Sequence, residues 1–232
     1  MTRPMPQAEE TADRLEAAGH EPVRAPLLEI VPDPTVSLAP CDADAIVLTS
    51  RGAVRAISLH PEKERIFSLP VFAVGDATAR AARALGFGDV RSAGGDLAAV
   101  AERISAEEVK PHRLLHLAGR DRSGDLAALL RPAGIQVETR VVYRAEPATA
   151  LPSDAAEALR AGTLDGVLSF SPRSAATLLT LAEAAGLKES LMRARHYCLS
   201  EAVADCLRDA GARDVAVAAT PDQDALLALI PA

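Results

Sequence analysis

The side chains best placed to meet a ligand gather in four short stretches: Thr49-Ser50-Arg51, Gly75-Asp76-Ala77-Thr78, Ser171-Pro172-Arg173-Ser174 and Ser200-Glu201. Each follows an apolar run and opens a helical pattern. Each therefore reads as the corner where a parallel strand hands over to a helix. The first turn of a helix carries unpaired N–H groups and a partial positive charge. In an open α/β sheet that end of the strand faces the crevice where ligands bind. The chemistry on offer is anion binding, of carboxylates or phosphates, by main-chain amides. Ser171, with Pro172 at the first helical position, reads as an N-cap, and Ser50 can cap in the same way. Gly75 lets backbone come close to a ligand. Ordinary capping accounts for any one corner, and only the recurrence favours a ligand. A fifth loop, "LAGRDRSGDL" at 117–126, holds Gly119, Arg120, Arg122 and Ser123. Its arginines suit a carboxylate or a phosphate, and a solvated turn fits them equally well.

Other chemistries lack their residues. There is no G-x-x-x-x-G-K-[ST] phosphate loop, and "GDATAR" lacks the glycine series of a dinucleotide fingerprint. No G-x-S-x-G elbow occurs. The histidines, His20, His60, His112, His116 and His196, are scattered. His112 and His116 read as flanking a strand, so a shared metal is not expected. His196 reads as a packing or capping residue. Cys41, Cys198 and Cys206 are odd in number and form no C-x-x-C, which argues for a reducing compartment rather than a disulfide framework or zinc site. Tyr143 reads as the end of the apolar strand "RVVY", before Arg144 and a polar stretch. A phenol aimed into a cleft is one reading, and a ring filling core is the one the residues alone favour.

A net charge of −7 argues against general nucleic-acid binding. It leaves room for a locally basic cleft and a small anion. The opening "MTRPMPQAEE" has no apolar signal-peptide core, and no apolar run approaches the ~20 residues that span a bilayer. The expectation is a soluble, cytoplasmic protein with no membrane contact.

Periodicity supplies the elements that must hold these corners. Helices are expected at 8–18, from about 51, and at 77–85, 95–104, 125–134, 153–162, 172–185, 201–210 and 223–230. Strands are expected at 43–50, 71–75, 113–119, 136–145, 164–171, 196–200 and 214–219. Residues 21–32 read as extended chain punctuated by Pro22, Pro26 and Pro32. This alternation predicts an α/β fold with parallel sheets flanked by helices. An internal echo predicts two related units. Gly75 to Gly86 matches Ser200 to Gly211, and Gly75 to Val90 matches Ser200 to Val215.

Taken in order, "TRP" near the start, "VLTSRGAV", "VFAVGDATARAARALG", "LLHLAGRDRSGDLAALLRPAGIQVETRVVYRA", "SFSPRSAATL" and "CLSEAVADCL" resemble the uroporphyrinogen-III synthase family over essentially the whole chain. The resemblance implies two flavodoxin-like domains joined by a two-stranded β connector. One domain is discontinuous, 1–28 with 146–232. The other is 30–143, and the connector strands lie near 27–31 and 139–145. It implies cyclisation of hydroxymethylbilane, a linear tetrapyrrole polycarboxylate, to uroporphyrinogen III with inversion of ring D and loss of water. It implies a monomer that uses no cofactor and no metal. Ser50, Thr78, Gly119, Ser171 and Ser200 fall on positions of the family's ligand contacts, and Arg51, Gly75, Arg120 and Arg173 stand beside them as binding candidates. Tyr143 falls on the tyrosine that assists departure of the substrate hydroxyl, which favours the cleft reading. Two departures are visible: the family usually opens with a strand before "TRP", and residues 200–203 read "SEAV" where some members carry threonines. A two-domain module that binds an anionic metabolite without chemistry is the alternative.

Overall fold

The structure is a computed structural model that describes residues 1–5, 7–39, 42–122 and 124–231. Cys41 and Ser123 lie outside the described residues. The chain divides into two compact units, Met1–Glu29 with Glu146–Ala232, and Ile30–Ala145.

The second unit is built on a six-stranded sheet. Its strands are β1 (Leu28–Pro32), β2 (Ala45–Leu48), β3 (Val71–Ala73), β4 (Val90–Ser92), β5 (Arg113–Gly119) and β6 (Gln136–Pro147). They lie in the order β1-β6-β5-β2-β3-β4, and β2 through β6 pair in parallel. Both faces are covered, so β2 reads as an unbroken apolar run buried throughout. Ile46 and Leu48 pack with Ala53 and Ile57 of α2 (Arg51–Ser58) and Ala79 and Ala82 of α3 (Asp76–Leu85). Ala45 and Val47 point the other way, toward Val100 and Ile104 of α4 (Leu97–Ser105) and Leu126 and Leu130 of α5 (Leu126–Leu130). Each fully buried Ile, Leu or Val contributes about 1.5–3 kcal/mol. The chain steps outward from β2 to β3 and β4, then returns to β5 on the other side of β2. The carboxyl ends of β2 and β5 therefore form the switch point at which such sheets hold ligands.

The first unit has a three-stranded parallel sheet, β7 (Gly166–Ser169), β8 (Arg195–Cys198) and β9 (Val215–Val217). Val167 packs under α6 (Ser153–Ala161), α7 (Pro172–Ala184) and α8 (Lys188–Arg193). Leu168 and Tyr197 pack with Leu15 of α1 (Gln7–Ala17) and Leu226 of α10 (Gln223–Leu227). α9 (Glu201–Asp209) closes against Cys198 and Ala175. The N-terminal residues form no strand among the described ones. The Thr2 N–H and hydroxyl both donate to the Leu168 carbonyl at the edge of β7, at 3.2 and 3.0 Å.

The echo between units is visible in the backbone. Ser50 and Ser171 sit at φ/ψ of −157/153° and −155/151°, and Gly75 and Ser200 at −157/172° and −156/165°. Four expectations need correction. β6 does not end at Tyr143 but runs to Pro147, because polar side chains do not stop a strand whose backbone lies beside β1. His116 does not flank β5 but sits inside it. The helix expected at 125–134 stops at Leu130 and tightens into a 3-10 turn at Arg131–Ala133, where Pro132 has no N–H to donate. β4 and α8 form where no strand or helix is expected from the sequence.

Candidate functional site

Ser50 stands at the end of β2 and caps α2. Its Oγ accepts from the Ala53 N–H at 3.1 Å and lies 2.9 Å from the Tyr143 hydroxyl. Tyr143 reaches it through an irregularity in the β5–β6 ladder. Ala118 faces Val141, but Gly119 faces Tyr143, so β6 carries one extra residue, Val142. Such a bulge re-aims a side chain. Val142 turns into the core and Tyr143 stays half-buried at its edge. The Arg120 N–H donates to the Tyr143 carbonyl at 3.0 Å and fixes the strand beyond the bulge.

Beside this pair lies a cavity of about 170 Å³, lined in part by Thr49, Ser50, His116, Gly119, Arg122 and Tyr143, with Asp96 and Leu97 at the start of α4. His116 is buried on β5. Its Nε2 is 3.2 Å from Thr49 Oγ1 and its Nδ1 is 3.4 Å from Thr139 Oγ1. Burial, helped by the Arg122 charge, pushes its pKa down to about 4. The imidazole is therefore neutral at ordinary pH, and the cation available to this cavity is Arg122.

The corner at Gly75 is different in kind. Gly75 supplies no side-chain cap to α3, and a Cβ there would meet nothing within 4 Å. Its φ of −157° is extended backbone that any residue adopts, so the fold does not demand glycine. Thr78 lies in the first turn of α3 and is 5% exposed. The first turn of α3 thus offers amide donors, a setting that suits an anion.

The first unit repeats the contrast. Ser171 Oγ accepts from the Ser174 N–H at 3.1 Å and donates to the Ser174 hydroxyl at 2.9 Å, with Pro172 at the first helical position. Ser200 makes no side-chain cap bond to α9. Behind it Cys198 is fully buried, and burial pushes its thiol up to about 11, which makes it inert. His196 is buried as well, its Nε2 3.0 Å from the Leu191 carbonyl, so it packs.

Of the residues singled out in the sequence, the structure brings Ser50, Gly119 and Tyr143 to one cavity, with Arg122. Arg51, Gly75, Thr78 and Arg120 belong to the same unit but do not line it, and Ser171, Arg173 and Ser200 belong to the other unit. His116 and Gly52 were not seen as site residues. Of the partners of His116, Thr49 follows the end of β2 and Thr139 faces it from β6, so only strand register brings them together. A larger hollow of about 1180 Å³ in the first unit is lined by Leu159, Val167, Leu168 and Tyr197 and by Gly166 and Arg195. Those last two begin β7 and β8, so it lies toward the end of the sheet opposite the corners. Among the described residues, no group of three His, Cys, Asp or Glu side chains is placed to hold a metal. No helix there is long and apolar enough to cross a membrane.

A family model described as uroporphyrinogen-III synthase HemD matches residues 9–228. The chain belongs to the uroporphyrinogen-III synthase family. Uroporphyrinogen-III synthetase from Helicobacter pylori shares its fold, with a TM-score of 0.64 at 20% identity, over 88% of this chain and 89% of that one. A mutant uroporphyrinogen III synthase from Thermus thermophilus aligns over 98% of this chain and 96% of that one, at 19% identity and a TM-score of 0.49. No curated protein sequence matches.

Proposed function

We propose that this synthase acts as a lyase, closing hydroxymethylbilane to uroporphyrinogen III with inversion of ring D and loss of water. In this reading the units are flavodoxin-like domains, 1–28 with 146–232 and 30–143, linked through strands near 27–31 and 139–145. The observation that carries the reading is the hydroxyl pair of Tyr143, on β6 opposite the end of β5, and Ser50, just past β2, 2.9 Å apart. Ser50 Oγ already accepts the Ala53 N–H. If its own proton is given to Tyr143 Oη, the phenol proton is free to point at a ligand.

The substrate carries acetate and propionate arms on every ring. The cavity beside Tyr143 has room for one such arm, with Arg122 and Ser50 as partners. Within the second unit, the amides that begin α3 at Gly75-Asp76-Ala77-Thr78 suit a further arm; in the first unit, those that begin α9 at Ser200 and the corner of Ser171 and Arg173 suit carboxylates in the same way. Arg51 and Arg120 supply positive charge near the α2 and β5 corners.

Departure of the substrate hydroxyl is easy. The pyrrole nitrogen pushes electrons toward the hydroxymethyl carbon, the C–O bond breaks, and the oxygen leaves as water after taking a proton. Tyr143 donates to that oxygen in the transition state. The harder task is choosing which carbon of ring D attacks. A ~100-fold preference requires only ~2.7 kcal/mol of differential transition-state stabilisation, which a few oriented hydrogen bonds supply.

Freshly made hydroxymethylbilane tests the proposal. The purified chain should consume it faster than it closes unaided and should yield the type III isomer by chromatography. Type I as the only product would contradict it.

A further inference from the structure

We infer that Gly52 and Gly119 are positioning residues that hold the Tyr143 phenol against Ser50 by leaving the ring the space a Cβ would fill. This rests on the proposed role of Tyr143 at the departing hydroxyl. A Cβ built on Gly119 would lie 2.5 Å from Tyr143 Cζ, 2.7 Å from Oη and 3.0 Å from Cε1. One on Gly52 would lie 2.9 Å from Cζ, 3.0 Å from Oη and 3.1 Å from Cε2. The glycines thus bracket the tip of the ring from its opposite edges, Cε1 and Cε2. Neither has a positive φ, so neither is needed for a special backbone conformation. What both positions require is room.

The ring has little freedom to give way. Tyr143 packs against the core formed by α2 and α3, and the bulge fixes its backbone opposite Gly119. Its hydroxyl already meets Ser50 at 2.9 Å, and a hydrogen bond weakens steeply with displacement and tilt. A methyl group at either glycine would push the ring tip away from Ser50. The two sites also come from different elements, the first turn of α2 and the end of β5. The phenol is therefore located by the junction of strand and helix that forms the corner.

Only two tyrosines occur in the chain, Tyr143 and Tyr197. Labelling tyrosine with ¹³C at Cζ therefore gives two resonances, which Tyr143→Phe assigns. Gly52→Ala is the main variant, since alanine is the better helix former in α2. Gly119→Ala is the second and the more severe. Each should move the Tyr143 resonance and leave that of Tyr197 in place. Each should lower kcat by about 10–100-fold, as expected for a misplaced catalytic group, with a smaller effect on KM. Adding Gly52→Ala to Tyr143→Phe should change turnover by less than about twofold, because the two act through one group. An unmoved Tyr143 resonance in both variants would overturn the inference. So would a full loss from Gly52→Ala in the Tyr143→Phe background. A moved resonance alongside a fully active Tyr143→Phe would uphold the positioning and remove Tyr143 from the chemistry.

Discussion

His116 shows what one residue contributes to this site. The fold keeps it neutral between Thr49 and Thr139, with a pKa of about 4 against an ordinary value of 6.5. Between those values the unfolded chain binds a proton that the folded chain does not. Stability is therefore present above about pH 6.5 and is lost as pH falls toward 4, by up to about 1.4 kcal/mol per unit across that window. His196, also lowered by burial, acts in the same direction. Denaturation midpoints measured from pH 7 to pH 4 should fall less steeply in His116→Gln than in the wild-type chain. Parallel curves would show that His116 is not the titrating group. At this scale the sequence was only half legible. A tyrosine at a polar junction can be noticed. That its ring needs Gly52 and Gly119 bare cannot, because both glycines look like ordinary turn and strand-end residues until strand register places them.

Corners are the elements proposed to meet substrate, and they come in two kinds. Ser50 and Ser171 cap their helices with side chains, whereas α3 and α9 begin without such a cap. Ser50→Ala and Ser171→Ala should each cost about 1 kcal/mol of stability, the worth of an N-cap, measured by urea titration. Ser50→Ala should in addition slow turnover, because it strips Tyr143 of its partner. The uncapped starts make a separate prediction. Asp76→Pro removes one amide donor at a position where proline suits both the helix and the extended backbone of Gly75. Relative to Asp76→Ala, it should raise KM for hydroxymethylbilane with little change in melting temperature. Equal KM values would mean that this amide does not touch substrate. Elements of this length were legible because buried strands and amphipathic helices carry distinct periods. Those that escaped, β4 with three residues and α8 with six, span fewer than two repeats of their periods.

The whole molecule carries a crossing that local pattern does not encode. The chain leaves its first unit at Glu29, builds the second from Ile30 to Ala145, and then returns. Periodicity alone reads as two tandem units, because a strand's sequence does not say which sheet it joins. The family resemblance supplied a discontinuous arrangement that residue spacing could not. Function at this scale is selection. Hydroxymethylbilane closes unaided to the un-inverted ring, so the enzyme must hold the chain where the other carbon attacks. In the proposed mechanism that holding falls to the corners, and Tyr143 meets only the departing hydroxyl. The isomer ratio formed by Tyr143→Phe in a single turnover separates the two roles most directly. Slower product that is still predominantly type III is expected, and a shift to type I at the same substrate occupancy would show that Tyr143 also selects the isomer.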